Sequence, residues 1–260
     1  MNVSEGRTLE IVASISMLAG PDLLDVHSDA DHNRSVITMV GEVAPRDVAR
    51  GAVTALDIST HSGTHPRVGV VDVVPFVALD GSTHEDAIAA RDSFARFAWG
   101  ELGVPCFLYG TGRTLPELRR GAFRDFAPDF GSPTPHPTAG AMCVGVRGML
   151  IAYNVVLDGV GMDTARNIAK KLRSPHVRAL AMEVSSGAQV SMNLIEPNEF
   201  GPADAVDAIT KLADVKTCEL VGLLPAMVLN QIPKVRWEEL DLGVEKTIEW
   251  QLAARNRRMS

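Results

Sequence analysis

The clearest pattern of apolar and polar positions lies in the second half of the chain. An apolar stretch that starts at residue 148 predicts a strand, and a helix with basic residues in its last turns follows it. Two further strands flank a Ser-Ser-Gly turn, and a second helix and a final strand complete the set. The predicted order, β-α-β-β-α-β, is that of a ferredoxin-like subdomain. The predicted segments are 148–157, 163–173, 177–195, 202–215 and 217–225, with an amphipathic tail helix at 246–258.

The first half of the chain shows the same pattern without its opening strand. Apolar residues at helical spacing begin after Thr8, which is predicted to cap the first helix. A β-branched run interrupted by Pro75 predicts a strand rather than a helix. The predicted fold class is therefore α+β, with two tandem ferredoxin-like (βαββαβ) subdomains, 1–148 and 149–260, of which the first lacks its opening strand and gains a helix and a strand. The predicted segments are helices at 8–19, 44–60 and 83–102 and strands at 23–27, 35–41, 68–79 and 104–110.

A proline-rich segment, DFAPDFGSPTPHPTAG at 125–140, interrupts this pattern. Its prolines restrict the backbone, and neither helical nor alternating spacing runs through it. Loops of this length inside compact domains are usually either functional or disordered. The proline rigidity and the neighbouring Phe126 and Phe130 favour an ordered, functional loop.

Composition excludes several classes of protein. Hydrophobic residues make up 46% of the chain and charged residues 22%, which allows a packed core and excludes general disorder. The net charge of −7 argues against a nucleic-acid-binding protein. No apolar run approaches the roughly 20 residues of a membrane span, and the early apolar segment lacks the basic flank of a signal peptide. Cys106, Cys143 and Cys218 are isolated, which predicts reduced thiols in a cytoplasmic protein.

The segment HSGTHPR at 61–67 is the first candidate for chemistry. Pro66 biases His65 towards extended geometry, and Arg67 places a permanent cation beside it. An imidazole beside a cation tends to stay neutral near pH 7, and a general base must be neutral. The alternatives are a surface histidine in a turn and a metal ligand. A metal is disfavoured because the segment is not a helix, on which two histidines four residues apart would converge.

Three arginines are candidates for binding an anion. Arg34 follows Asn33 where a turn enters a strand, Arg67 precedes a strand, and Arg113 lies in a basic segment. A guanidinium presents a planar fork that matches a carboxylate. Each arginine alone fits an ordinary surface charge better than an anion site.

Nine short blocks of the chain stand in a distinctive order: NVSEGR (2–7), LLDV (23–26), NRSVITMVG (33–41), HPRVGVVDVVPF (65–76), ELGVPCFLYG (101–110), RTLPELRRGAF (113–123), APDFG (127–131), LIAYNV (150–155) and ELVGLLP (219–225). In this order they resemble the glutamate formiminotransferase family, which includes the domain that opens formiminotransferase-cyclodeaminase. That family transfers a formimino group from N-formiminoglutamate to tetrahydrofolate, in histidine degradation and one-carbon metabolism. Its fold, two ferredoxin-like subdomains with folate between them, agrees with the pattern above.

The resemblance implies a cytoplasmic transferase with tetrahydrofolate as co-substrate, a small amidine or formyl donor, and no metal, nucleic acid or membrane partner. It implies that His65 is the catalytic histidine, in the H-P-R block. Asn33, Arg34 and Arg67 are expected to bind substrate or folate. The folate-binding loop is implied to comprise Gly131, Ser132, Pro133, Thr134, Pro135, His136, Pro137, Thr138, Ala139 and Gly140.

The chain departs from the family pattern at three positions near the candidate residues. His27 stands where the family has a second aspartate, and Ser62 and Thr64 stand where it often has charged residues. These departures leave two alternatives: the same fold acting on 5-formyltetrahydrofolate or another one-carbon donor, and a non-catalytic folate-binding paralogue. A third alternative is a metal-dependent hydrolase that uses the histidines and aspartates near His27.

The missing opening strand also bears on assembly. An incomplete sheet leaves backbone donors and acceptors unpaired, and such an edge pairs readily with another chain. Symmetric dimers are the commonest soluble oligomers. The sequence therefore predicts a homodimer whose contact involves the N-terminal half, unless the tail helix covers the gap.

Overall fold

The computed structural model describes residues 1–259, apart from the side chain of Arg258. The chain divides into two compact units, Met1–Gly148 and Met149–Ser260, and each unit contains one β-sheet. No helix among residues 1–259 is both long and apolar enough to cross a bilayer. The elements of the first unit are β1 (Asn2–Val3), α1 (Leu9–Ser16), β2 (Leu23–Asp29), β3 (Arg34–Met39), α2 (Val43–Ala55), β4 (Val71–Phe76), α3 (His84–Leu102), β5 (Cys106–Tyr109), α4 (Leu115–Gly121) and β6 (Met142–Val146).

The first unit has an opening strand, β1, and the prediction that it lacks one is wrong. The strand order is β2-β3-β1-β4-β6-β5, so β1 lies inside the sheet. It is antiparallel to β3, where Val3 pairs with Ser35, and antiparallel to β4, where Val3 pairs with Val71. Two residues are too few to show an alternating pattern, which is why the sequence did not reveal this strand. The unpaired edge that motivated the predicted homodimer is therefore absent at β1.

Strand β6 was also missed by the sequence pattern. It pairs in parallel with β4 on one side and with β5 on the other. All of its residues, Met142–Val146, are buried. A short run that is buried on both faces has no polar-apolar alternation, so the sequence pattern did not distinguish this strand from the preceding loop. The predicted extra helix and strand are α3 and β5, and β6 separates β5 from β4.

The two faces of the first sheet carry different cores. Ile37, Val48 and Phe94 are at most 1% exposed and belong to the cluster that packs the sheet against α1, α2 and α3. Successive strand residues point to opposite faces. Phe107 accordingly belongs to a second, smaller cluster that includes Leu118 of α4. Helix α4 thus packs on the face opposite the main helices.

Local signals set the ends of the helices. Thr83 and Asp86 form a reciprocal capping box at the start of α3, and the helix ends at Gly103, whose φ of 67° favours glycine. Thr8 occupies the N-cap position of α1, as predicted, but its side chain makes no capping hydrogen bond. The Oε1 atom of Glu5 accepts hydrogen bonds from the backbone N–H groups of residues 6–8 instead.

The second unit confirms the predicted β-α-β-β-α-β order. The elements are β7 (Ile151–Leu157), α5 (Met162–Leu172), β8 (Val177–Val184), β9 (Gly187–Leu194), α6 (Pro202–Thr210), β10 (Val215–Val221), α7 (Ala226–Leu229) and the tail helix α8 (Ile248–Met259). The sheet has the order β10-β7-β9-β8, which is the order that β4, β1, β3 and β2 adopt in the first unit. The chain is therefore an α+β protein with two tandem ferredoxin-like subdomains.

Candidate active site

His65 meets Arg34 on the face of the first sheet opposite the main helices. Arg34 is the first residue of β3, and because strand residues alternate, its side chain lies opposite that of Ile37, which packs in the helix-covered core. The Nδ1 atom of His65 lies 2.7 Å from Nη1 of Arg34. The two residues that the sequence singled out separately therefore form one site.

The environment of His65 keeps the imidazole neutral. Burial, then the nearby guanidinium groups of Arg34 and Arg119, lower the pKa of His65 from its ordinary value of 6.5 to about 2. The ring of His32 stands edge-on to that of His65, with 6.1 Å between the ring centroids. A neutral imidazole at neutral pH is the form that a general base requires.

Two neighbours compete for the Nδ1 atom of His65. The carbonyl oxygen of Pro66 lies 2.8 Å from it, while Nη1 of Arg34 lies 2.7 Å away on another side. In a neutral ring, Nδ1 either accepts from Arg34 or donates to Pro66, and these alternatives are the two tautomers. Donation to Pro66 leaves a lone pair on Nε2, which is a base. Acceptance from Arg34 leaves a proton on Nε2, which is then a hydrogen-bond donor and not a base.

A buried carboxylate, Asp72, holds the arginines of the site. Asp72 lies in β4 and is 1% exposed. Its Oδ2 atom lies 3.1 Å from Nη1 of Arg34 and accepts a 2.6 Å hydrogen bond from Nη2 of Arg119. Its Oδ1 atom accepts from the backbone N–H of Val68 at 2.8 Å. Burial lowers the pKa of Arg34 to about 10, an effect that the charge of Asp72 opposes, so Arg34 stays charged near neutral pH.

Arg67 shapes the backbone around His65. Its Nε and Nη2 atoms donate to the carbonyl oxygen of His65, at 3.1 and 2.7 Å, and Nη2 also donates to the carbonyl oxygen of His32 at 3.1 Å. A single planar fork thus joins the histidine segment to the turn before β3. Arg67 belongs to the site, but its described contacts are with the chain's own carbonyl groups.

Asn33 fixes the same turn from the other side. It adopts a φ of 45°, which asparagine tolerates better than most residues. Its Oδ1 atom accepts from the N–H of Gly6, so its amide nitrogen faces Ser62 and donates to that carbonyl oxygen at 2.9 Å. The same nitrogen lies 3.3 Å from Nδ1 of His61. Asn33 therefore holds the segment that leads to His65.

The proline-rich loop is anchored near both of its ends. Asp129 and Phe130 form backbone hydrogen bonds with Cys106. The N–H of Val70 donates to Ala139, and the N–H of Ala141 donates to Val68, which ties the loop to the residues after His65. The imidazole of His136 accepts from the N–H of Ala139, so His136 holds a turn inside the loop. Ala139 and Gly140 are buried and Ser132 and His136 are half-buried, whereas the other predicted members, including Pro133, Pro135 and Pro137, are exposed.

Gly140 explains why the loop must end on a glycine. It adopts a φ of 72°, and a Cβ atom added there would lie 2.3 Å from the carbonyl oxygen of Val68. No described hydrogen bond joins residues 131–137 to His65, Arg34 or Arg67. The structure therefore brings Asn33, Arg34, His65 and Arg67 together and sets the loop beside them.

Sequence reasoning missed two members of the site, Asp72 and Arg119. The signal for Asp72 was available, because it is the one charged residue inside the apolar run of β4. Arg119 gave no comparable signal, since Arg120 follows it directly and only the packing of α4 decides which points inwards. Arg113, another candidate, instead pairs with Asp129 and lies over the ring of Phe126. Among residues 1–259, no group of three or more His, Cys, Asp or Glu side chains is arranged to hold a metal ion.

Titratable groups with strongly shifted pKa values cluster at functional sites. This cluster, on this fold, therefore places the protein in the class of α+β enzymes. The family model of the formiminotransferase domain, N-terminal subdomain, matches residues 1–147. The chain belongs to the formiminotransferase family.

Curated relatives extend the likeness over most of the chain. It is 33% identical to the glutamate formimidoyltransferase of Streptococcus pyogenes serotype M1, over 95% of each chain. It is 31% identical to the glutamate formimidoyltransferase of Thermoplasma acidophilum, over 90% of this chain and 89% of that one. It is 34% identical to the formimidoyltransferase-cyclodeaminase of Sus scrofa over 88% of this chain, which spans only 50% of that protein.

Proposed function

We propose that this enzyme transfers a formimino group from N-formiminoglutamate to tetrahydrofolate, with His65 as the catalytic residue. The observation that carries the proposal is a half-buried histidine, held neutral beside Arg34, in a chain 33% identical to a glutamate formimidoyltransferase over 95% of its length. Tetrahydrofolate acts as co-substrate, and the protein residues supply the acid-base chemistry. Histidine degradation is the metabolic setting of this reaction.

In the proposed reaction, N5 of tetrahydrofolate attacks the formimino carbon of the donor. His65 accepts the N5 proton at Nε2, while its Nδ1–H donates to the carbonyl oxygen of Pro66. A new C–N5 bond forms and gives a tetrahedral intermediate. The bond between the formimino carbon and the glutamate nitrogen then breaks, and His65 returns its proton to that nitrogen. The products are glutamate and 5-formiminotetrahydrofolate, so no proton is gained or lost overall.

Arg34 acts on this cycle through its charge, because its guanidinium lies 2.7 Å from the other ring nitrogen. It disfavours the imidazolium that forms when Nε2 takes up the N5 proton, so that proton is readily given to the leaving nitrogen. The carbonyl oxygen of Pro66 accepts from Nδ1–H throughout and keeps Nε2 as the atom that exchanges the proton. Asn33 and Arg67 keep the surrounding backbone in place, and the loop from Gly131 to Gly140 is proposed to bind the folate.

A donor assay with purified protein tests this function. N-formiminoglutamate is supplied with and without tetrahydrofolate, and glutamate and 5-formiminotetrahydrofolate are quantified by mass spectrometry. The proposal requires equal amounts of both products, formed only when both substrates are present. Donor loss without tetrahydrofolate, abolished by a chelator, supports a metal-dependent hydrolase instead.

The choice of donor depends on the residues that flank the site. Ser62 and Thr64 are exposed and uncharged beside the site, where the family often has charged residues. The assay therefore includes 5-formyltetrahydrofolate and other one-carbon donors. If the protein turns over such a donor but does not turn over N-formiminoglutamate, it catalyses a different reaction on the same fold. Tight folate binding without turnover of any donor identifies a non-catalytic paralogue.

We further propose that the enzyme is a cytoplasmic homodimer. Isolated cysteines and the frequency of symmetric dimers support this assignment, whereas strand β1 removes the reason based on an incomplete sheet. Sedimentation equilibrium at micromolar concentration measures the mass. A monomeric mass excludes the homodimer.

A further inference from the structure

The site carries more positive than negative charge. Three guanidinium groups, those of Arg34, Arg67 and Arg119, lie close enough to disfavour one another's charge. Among the described residues, Asp72 is the one carboxylate within ion-pair distance of any of them. The neutral imidazole of His65 contributes no charge to the site. This local excess of positive charge contrasts with the net charge of −7 of the whole chain and favours an anionic ligand.

Two of the three arginines are already committed. Arg34 contacts His65, Asp72 and the side-chain oxygen of Asn2, the last at 3.3 Å. Arg67 donates to backbone carbonyl groups through all parts of its fork. Neither has much capacity left for a ligand.

Arg119 is different, because most of its donors are unused. A guanidinium has five N–H donors, and the one described hydrogen bond of Arg119 joins Nη2 to Asp72. Its Nε atom is buried and has no hydrogen-bond partner among the described residues. The side chain is 19% exposed, so it is largely shielded from water and still reachable. A shielded arginine with free donors binds a carboxylate more strongly than one on the open surface.

We propose that Arg119 binds the α-carboxylate of the formimino donor and so determines specificity for an amino-acid donor. This inference rests on the proposed function and adds the residue that recognises its substrate. The contacts run from His65 to Arg34, from Arg34 to Asp72 and from Asp72 to Arg119, which sets Arg119 close to the catalytic ring.

The glutamate tail of folate offers the same chemistry, but its position fits less well. In N-formiminoglutamate, the α-carboxylate is attached to the carbon that bears the formimino nitrogen, so it lies next to the reacting atoms. In tetrahydrofolate, the aminobenzoyl group separates the tail from N5. An anion site beside His65 therefore matches the donor rather than the tail.

Carboxylate binding at Arg119 has a consequence for His65. The charged and titratable groups around the ring are Arg34 from β3, Arg119 from α4, Asp72 from β4, and His32 and Arg67 from the adjoining turns. A bound carboxylate offsets part of the positive charge that lowers the pKa of His65. The ring becomes more basic when the donor is present, which is the moment at which a base is needed.

The test compares Arg119→Met with Arg120→Met, a matched control on the same helix whose side chain is exposed. Binding of L-glutamate and glutarate is measured by calorimetry, and the imidazole signals of His65 are followed by NMR. Arg119→Met is expected to weaken both ligands about ten- to a hundredfold, the usual value of a charge-assisted hydrogen bond. Arg120→Met is expected to bind as the unmodified protein does. Glutarate is expected to raise the pKa of His65 only when Arg119 is present.

Further measurements distinguish a failure of the carboxylate site from a failure of the proposed function. Arg119→Lys keeps the charge without the fork and is expected to give intermediate affinity, and melting curves check that each variant is folded. Equal glutarate binding by Arg119→Met and Arg120→Met overturns the assignment. The assignment is also overturned if Arg119→Met loses affinity only for tetrahydrofolate and binds tetrahydropteroate, which lacks the glutamate tail, as the unmodified protein does. If glutarate binding depends on Arg119 but the protein transfers no formimino group, the proposed function is wrong and the carboxylate site is still supported.

Discussion

Nη1 of Arg34 lies 2.7 Å from Nδ1 of His65 and 3.1 Å from Oδ2 of Asp72, so one guanidinium nitrogen joins the candidate base to a buried carboxylate. In a serine-protease triad, a carboxylate contacts the histidine directly and stabilises its charged form. Here a cation stands between them and stabilises the neutral form. The site is therefore suited to brief proton transfer and not to a persistent imidazolium.

Removing the imidazole is expected to reduce turnover much more than folate binding. General acid-base catalysis contributes about 10²–10⁴-fold to the rate, and His65→Ala should lose an amount in this range. The dissociation constant for tetrahydrofolate, measured by fluorescence titration, should change by less than about threefold. His84→Ala, at the exposed start of α3, is the control and should retain full turnover. Parallel losses of turnover and affinity would indicate a binding role for His65.

Neutralising the buried carboxylate is expected to destabilise the first unit. Asp72→Asn leaves Arg34 and Arg119 without their shared counterion in a site where the carboxylate is 1% exposed. Losing one partner of a buried ion pair costs about 3–5 kcal/mol. Urea unfolding measures this change, and the exposed Asp80→Asn should stay within about 0.5 kcal/mol of the unmodified protein. Similar unfolding of both variants would show that Asp72 is not the structural centre of the cluster.

The lowered pKa of His65 predicts a loss of stability in acid. In the unfolded chain His65 takes up a proton as the pH falls through 6.5, whereas in the folded chain it stays neutral down to about 2. Its contribution is fully present above pH 6.5 and is lost progressively between pH 6.5 and 2. His65→Asn should therefore flatten the dependence of unfolding free energy on pH between 6.5 and 4. His84→Asn is the control, and an identical slope for both variants would contradict a neutral His65.

The loop prolines are expected to matter for binding and not for the fold. Pro133, Pro135 and Pro137 are exposed, and they restrict the loop before a ligand arrives, so less conformational entropy is lost on binding. Replacing all three with alanine should weaken tetrahydrofolate binding several-fold while the melting temperature changes little. Pro116→Ala, at an exposed position in the first turn of α4, serves as the control. A large drop in melting temperature with unchanged affinity would assign the loop a structural role.

The sequence by itself determined the elements whose pattern is local. The β-α-β-β-α-β order of the second unit follows from periodicity, and the capping box of α3 follows from Thr83 and Asp86 three residues apart. The H-P-R block likewise made His65 a candidate base, because Pro66 constrains its neighbour along the chain. Strands β1 and β6 were not predicted. Strand β1 has only two residues and β6 is fully buried, so neither shows an alternation of polar and apolar residues.

Only the tertiary structure decided which charges share a site. Arg34 and His65 are 31 residues apart in sequence, and Asp72 and Arg119 are 47 apart, so no local spacing records their contacts. The choice between Arg119 and Arg120 depends on how α4 packs against the sheet, and the state of His65 depends on the burial and charge that this packing creates. Hydrophobic periodicity decides which face of an element is buried, while electrostatic interactions depend on distances that only the assembled fold sets.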